Sequence, residues 1–449
     1  MEPYSIRSSP YRDAIQAVQR AALAAVEPGA AVRRFVESHG EQLVVDGQSY
    51  DLATVERVWV VGAGKAAAAM AAALYANLGE RLSGGLAVTK YGYVSPGTGP
   101  IRLVEAGHPL PDEAGLAAAQ RIAGLLTRGT GQDLVLAIIS GGGSALLVLP
   151  APGISLADLR ATTDLLLRSG ATIGEMNAVR KHLSRVTGGG LARLAAPNRL
   201  IGLILSDVVG DPLGAIASGP TAPDPTTFAD AWAALERYGL AGRVPAPVRD
   251  RLRAGRRGDL PETPKPGDPL FDKVQNVVVG SNRLAAEAAV QEARAWGLNA
   301  LLLSTFVEGE ARQVARVAAA LARELAHYDR PVARPACLVL GGETTVTVHG
   351  TGRGGRNQEL ALAAALALDG VPNVLLAALG TDGTDGATEA AGAVATGETA
   401  ARARALGLDP AVHLANNDAY PFFGALDDLI HTGPTGTNVN DLLFILAFP

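Results

Sequence analysis

The spacing of apolar residues changes period along the chain, and each change marks an element. Residues 11 to 27 place apolar side chains three and four apart, which predicts an amphipathic helix. RVWVVG (57 to 62) is a short apolar run ending in glycine. After it come an alanine-rich helix over 65 to 78, then GLAVT, IRLVEAG, a helix over 112 to 127, DLVLAIIS and LIGLILSD (200 to 207). Strands that are apolar throughout and alternate with helices predict a parallel sheet covered on both faces. GRRGDLPETPKPGDPLFDK (255 to 273) breaks the pattern with Pro, Gly and charge, which suits a linker or a surface excursion. The alternation then resumes with QNVVVG, a helix over 282 to 296, NALLLS, a helix over 308 to 327, ACLVLGG, TTVTVHG, a helix after Gly355, and NVLLAALG. The expected fold class is α/β in two lobes, 1–254 and 274–449, joined by the linker 255–273.

Length agrees: 449 residues exceed what one ordinary core supports. A hydrophobic share of 48% with 18% charged residues describes a globular chain. The formal charge of -5 offers no net attraction to nucleic acid or to an anionic membrane, so any bound anion must be met by a local cluster. The single Cys337 rules out an intramolecular disulfide and fits a reducing compartment. MEPYSIRSSPYRDAIQ lacks the basic start and apolar run of a leader, and no apolar segment has spanning length. A soluble, cytoplasmic protein is expected. Only five of the 39 basic residues are lysines, which singles out Lys65, Lys90 and Lys181 outside the linker.

Ligands of open parallel sheets bind beyond the carboxyl ends of the strands, and most glycine-rich or acidic motifs here fall at such ends. Gly62-Ala63-Gly64-Lys65 follows a buried strand and opens a helix, the context of a phosphate-binding turn. A cation at that helix start opposes the macrodipole unless an anion joins it. The same residues match a dinucleotide fingerprint, but the next strand ends in Thr89-Lys90 where an acid is wanted. NADPH therefore remains an alternative, as does a plain tight turn. Ser140-Gly141-Gly142-Gly143-Ser144 offers uncovered N–H groups and two hydroxyls ahead of a helix beginning at Ala145, again suited to phosphates or to a flexible strand exit.

Asn177, Arg180, Lys181 and Ser184 share one helix face, either a site or a solvated basic stripe, and His182 lies off it. Asp207 with Asp211, Asp382 with Asp385, and Glu343 sit at strand ends, where acids among glycines hold a divalent cation, take a proton, or simply make turns. GRGGRNQEL sets Arg353 and Arg356 among glycines, then Asn357, Gln358 and Glu359 at the start of a helix, a pattern for anion binding. HLANNDAYPFF and TGPTGTNVNDL can line a polar pocket or form Asx turns.

Taken together, GAGKAA, GHPLPDE, SGGGSALL, MNAVRKHLSRVTGGGLA, SDVVGDPLGAIASGPT, GGETTVTV, GRGGRNQEL, GTDGTDG and TGPTGTNVNDL resemble the glycerate 2-kinase family, in its order and over almost the whole chain. The resemblance implies a Rossmann-like N-terminal lobe, a MOFRL domain at about 335–445, and a cleft between the lobes. It also implies ATP- and Mg²⁺-dependent phosphorylation of D-glycerate on its 2-hydroxyl. Members are often labelled hydroxypyruvate reductases, so NADPH-dependent reduction is the rival activity. The family's active-site lysine and arginine fall on Lys65 and Arg356. With them, Asp207 is expected in catalysis. Gly62, Gly64, the turn from Ser140 to Ser144, Asn177, Arg180, Lys181, Asn357 and Glu359 are expected to bind substrate or nucleotide, and Asp382, Asp385 and Glu343 the metal. Oligomeric state stays open, a homodimer being one outcome.

Overall fold

The computed structural model describes residues 12–449. Residues 1–11, which carry most of the segment read for a leader and the first residue of the expected N-terminal helix, lie outside the described residues. The chain divides into two compact units.

The first unit comprises Pro28–Ser206 and Asp211–Val279. It opens with a small antiparallel sheet, β1 (Val36–His39), β2 (Gln42–Val45) and β3 (Gln48–Asp51), which the sequence reading did not foresee. Asp46 and Gly47, both at positive φ (48° and 77°), turn β2 into β3, the signature of a tight hairpin. The main sheet has six strands in the order β6-β5-β4-β7-β8-β9: β4 (Val58–Ala63), β5 (Leu82–Lys90), β6 (Ile101–Ala106), β7 (Leu134–Ile139), β8 (Arg199–Leu205) and β9 (Val274–Gly280). The ladders from β6 through β8 are parallel, as the uninterrupted apolar runs predict. Every residue of β7 is buried. The helices Ala67–Leu78 and Glu113–Leu126 help cover this sheet.

The second unit comprises residues up to Glu27, Asp207–Gly210 and Gly280–Pro449. Its N-terminal helix, Arg12–Ala25, packs on the helix Asn282–Ala295 of the same unit. The sheet runs β10-β11-β15-β12-β13-β14: β10 (Asn299–Glu310), β11 (Ala336–Thr345), β12 (Val374–Gly380), β13 (Gly392–Thr396), β14 (Leu429–Ile430) and β15 (Asp441–Ala447). Only β10 with β11 is a parallel ladder; β15 runs antiparallel between β11 and β12. This sheet is therefore mixed, and it departs from the simple resumption of a parallel pattern.

Two further expectations change. Residues 255–273 do not link the units: they fold onto the first, where Lys265 bonds Thr226 and Thr263 and Lys273 donates to the Pro197 carbonyl. TTVTVHG is not a separate strand; β11 ends at Thr345. Asn417 accepts the N–H groups of His349 and Gly350 and fixes the rest of that segment as a loop.

Candidate functional site

In the first unit, the turn after β4 owes its glycines to the neighbouring strand. A Cβ on Gly62 would lie 1.9 Å from the Ile138 carbonyl oxygen, and one on Gly64 would lie 2.0 Å from Ser140 Oγ, with both backbones at φ near +150° (147° and 148°). The turn's donors are also occupied: Lys65 N–H reaches the Gly141 carbonyl at 2.9 Å, and Ala66 N–H reaches Ser140 Oγ at 3.1 Å. Gly62, Gly64 and the buried Ser140 thus lock the β4 and β7 turns together. The main-chain donors that a dinucleotide pyrophosphate would need there are spent, which removes the physical basis of the fingerprint.

What remains at this turn is charge. Lys65, half-buried and just ahead of the helix Ala67–Leu78, makes no side-chain hydrogen bond or ion pair among the described residues. Gly141, Gly142 and Gly143 follow, with Gly142 at φ 84°, and a Cβ on Gly142 would be 3.6 Å from Lys65 Cγ. The helix expected from Ala145 is a single turn, Gly143–Leu146, because the chain leaves helical geometry at Leu147.

Ser144 Oγ hydrogen-bonds Ser218 Oγ at 2.9 Å, and Ser218 donates to Asn177 Oδ1 at 3.0 Å. Ser218 and Ala217 both hold positive φ (59° and 48°), a backbone state that costs non-glycine residues about 1–2 kcal/mol each and collects at functional sites. Asn177 therefore joins the serine turn through Ser218, a residue that the sequence reading did not single out. Consecutive left-handed residues leave no signal in composition.

One helical turn beyond Asn177 the basic stripe splits. Lys181 is buried and paired with Asp224 at 3.2 Å, so it is a core ion pair and not a free cation. Arg180, half-buried, has no hydrogen bond or ion pair for its guanidinium among the described residues, and burial alone pulls its pKa below the ordinary arginine value. A desolvated guanidinium without an anion is costly, and such a group is a candidate to receive one. His182 is buried and bonded to Glu262 at 2.9 Å, a structural histidine.

In the second unit the mouth of the helix Arg356–Ala367 is filled by the protein's own acids. Arg356 grips Asp441 through Nε (2.5 Å) and Nη2 (3.0 Å), and Glu343 through Nη1 (2.9 Å). Asp385 accepts N–H groups from Asn357 at 3.1 Å and Gln358 at 2.8 Å, so its carboxylate caps the helix whose cap residue, Gly355, has no side chain. Both oxygens of Asp385 are thereby engaged in holding the helix start. Asn357 also donates to Asp441 at 3.0 Å, inside this cluster. Glu359 is buried, pairs with Arg312 at 2.6 Å and accepts from Asn417 at 2.8 Å; it is a structural acid. Arg353 lies over the Tyr420 ring and pairs with exposed Glu389, outside the cluster. Of the polar C-terminal loops, Asn416, Asn417 and Asp418 pin residues 349–353 by accepting their N–H groups.

Burial pushes the Asp385 carboxyl up to about 6, with the nearby Asp441 adding to it. The pKa of Glu343 is also raised, first by burial and then by Asp441 and Asp207, which places Asp207 within electrostatic reach of this group. Asp441 is the residue that sequence reasoning missed. It stands at the start of β15, and because β15 is antiparallel its first residue pairs with Gly342 in the carboxyl half of β11 and with Gly380 at the end of β12. A search confined to carboxyl ends of strands passes it over; reading DLLFILA as a strand with an acid at its start would have found it.

A 370 Å³ cavity at this mouth is lined by Gly355, Arg356, Asp382, Thr384 and Asp385, with Val346 on its apolar side. A larger cavity of 740 Å³ in the first unit is lined by Arg57 and Trp59 of the β4 start and by Asp133 before β7. That is the end of the sheet away from the cationic turn. Among the described residues no three His, Cys, Asp or Glu side chains group as a metal cage, and no helix is long and apolar enough to cross a membrane.

Fold and clusters define a two-unit α/β protein, and its two parts correspond to known families. Residues 14–253 match the domain of unknown function DUF4147, and residues 336–441 match the MOFRL family. The chain is 43% identical to the glycerate 2-kinase of Pyrococcus horikoshii over 95% of either chain. A crystal structure of glycerate kinase from Thermotoga maritima superposes with a TM-score of 0.87 at 40% identity, covering 97% of this chain and 99% of that one. A relative in Agrobacterium vitis, 47% identical over 87% of each chain, carries a hydroxypyruvate reductase name. The chain belongs to the glycerate 2-kinase family.

Proposed function

We propose that the protein transfers the γ-phosphoryl group of ATP to the 2-hydroxyl of D-glycerate, with Mg²⁺, and releases 2-phosphoglycerate and ADP. One observation carries the reading: at the glycine turn of the first unit, Lys65 holds a positive charge that no side chain among the described residues answers, and Arg180 of the same unit is likewise unpaired among them. Phosphoryl transfer is chiefly the positioning and stabilisation of phosphate charge, and an unanswered cation beside a glycine turn supplies part of it. Lys65 meets a phosphate oxygen as a point charge, the half-buried Gly142 leaves backbone open beside it, and Ser144 is held in orientation by Ser218.

The cavity at Arg356 suits a small hydroxy acid. Asp441 and Glu343 fix the guanidinium in place, so its role is to act in one set orientation. Asp207 orients the hydroxyl that is phosphorylated. Mg²⁺ in phosphoryl transfer takes one or two carboxylates plus substrate phosphates. Asp382 engages only Oδ1, with Thr384, and Glu343 gives Oε1 to Arg356, so each keeps an oxygen that suits such an ion. Asp382 and Glu343 would hold it, and when bound it neutralises phosphate charge.

Phosphorus NMR of a reaction containing D-glycerate, ATP and Mg²⁺ tests this reading. The 2-phosphoglycerate resonance should grow as ATP is consumed, and a chelator should stop it. Product appearing only at the 3-hydroxyl, or none at all, defeats the assignment.

A further inference from the structure

We propose that His108 is a phosphate-contacting group of the Lys65 turn and takes up a proton when the anion binds. This rests on the reading that the turn holds phosphate, and it adds a residue to it. His108 follows β6 in the GHPLPDE segment and is half-buried. Its imidazole lies against Gly142: a Cβ there would be 2.9 Å from Cδ2 and 3.0 Å from Nε2, and 3.6 Å from Lys65 Cγ. The glycine thus admits a histidine ring and a lysine stem at one spot of bare backbone. Neither ring nitrogen has a hydrogen-bond partner among the described residues, so both are open to solvent or to a ligand.

The charged neighbours agree. Burial, then Lys65, then Lys90, hold the His108 pKa below the usual histidine value. The turn from Ser140 to Ser144 brings only hydroxyls. On the His108 segment itself Asp112 accepts from the Gly115 N–H and the Tyr91 hydroxyl while Glu113 is exposed; Glu105 of β6 accepts from the Gly92 N–H, and Arg160 donates to the Pro111 carbonyl. The charges that act on the ring are those of Lys65 and Lys90. An anion seated at the turn replaces repulsion by attraction, and the imidazole pKa rises. By linkage, binding then consumes a proton and tightens as pH falls.

The probe is sulfate, whose charge is constant between pH 5.5 and 8, so the anion's own titration adds nothing. The His108 ring resonance is assigned by its loss in His108→Gln, the other six histidines reporting that this variant is folded. In the wild type, saturating sulfate should raise the His108 pKa by about one unit, and sulfate should bind about tenfold tighter at pH 5.5 than at pH 8. His108→Gln should bind sulfate with no such pH dependence, and Lys65→Met should lose binding. If Lys65→Met abolishes binding but wild-type affinity is flat with pH and the resonance stays put, the role of His108 is wrong and the phosphate turn stands. If sulfate binding is absent or indifferent to Lys65→Met, both fail.

Discussion

Replacing Arg356 by Lys keeps the charge and removes the fork. The guanidinium makes three contacts, two to Asp441 and one to Glu343, and an ammonium on a single stem can satisfy one carboxylate at a time. Each lost charge-assisted bond is worth about 1.5–3 kcal/mol. The arginine side chain is 33% exposed, so solvent screening discounts the two lost bonds to about 2 kcal/mol in all. For a unit of this size that lowers the melting temperature by about 4–8 °C. From sequence alone, with Arg356 expected to hold a ligand, the same substitution would leave the fold intact. Calorimetry beside glycerate turnover separates the two views: lost turnover together with the lowered melting temperature is expected. An unchanged melting temperature would refute the positioning role of Asp441 and Glu343.

The remaining expectations concern both units. Arg180→Met should leave stability unchanged or slightly raised, since it removes an unpaired, half-buried charge, while the apparent affinity for ATP falls by about tenfold or more; a clear loss of stability would reveal a structural arginine. Gly62→Ala should destabilise by about 3 kcal/mol or more in denaturant titration, because its Cβ meets the Ile138 carbonyl oxygen at 1.9 Å. If the variant is as stable as the wild type, the β4–β7 contact is not what fixes the glycine. The folded Asp385 carboxyl titrates near pH 6, raised from its unfolded value of 3.8, so the stability linked to its proton is present at pH 4 and lost as pH rises through about 6. In Asp385→Asn that stretch of the stability-versus-pH curve should be flatter, and an identical curve would disprove the burial of an ionising carboxyl.

Much of the first unit was legible in the sequence because its strands are buried on both faces and read as unbroken apolar runs. The small β1–β3 sheet was not, since its strands are four residues long and half exposed; only the Asp46-Gly47 turn advertises it. In the second unit the elements up to β12 were largely legible, β13 to β15 and the helices around them were not read, and no strand's direction was. Apolar content says that a strand is buried, not which way it runs, and the antiparallel course of β15 is what brings Asp441 to Arg356. The motifs themselves did converge locally, yet several of their residues serve the protein. Lys181, Glu359 and Asp385 satisfy buried partners that lie 27 to 58 residues away in sequence. Sequence spacing marks that a polar group is special; whether its partner is a ligand or another side chain is settled only by the fold.

The most direct measurement is a paired assay on one preparation of wild type and Lys65→Met: D-glycerate with ATP and Mg²⁺ on one side, hydroxypyruvate with NADPH on the other. Phosphorylation at the 2-hydroxyl by the wild type, its collapse in Lys65→Met with the melting temperature unchanged, and no NADPH oxidation are the expected results. NADPH oxidation without phosphoryl transfer would contradict the account and return the Gly62 turn to a dinucleotide.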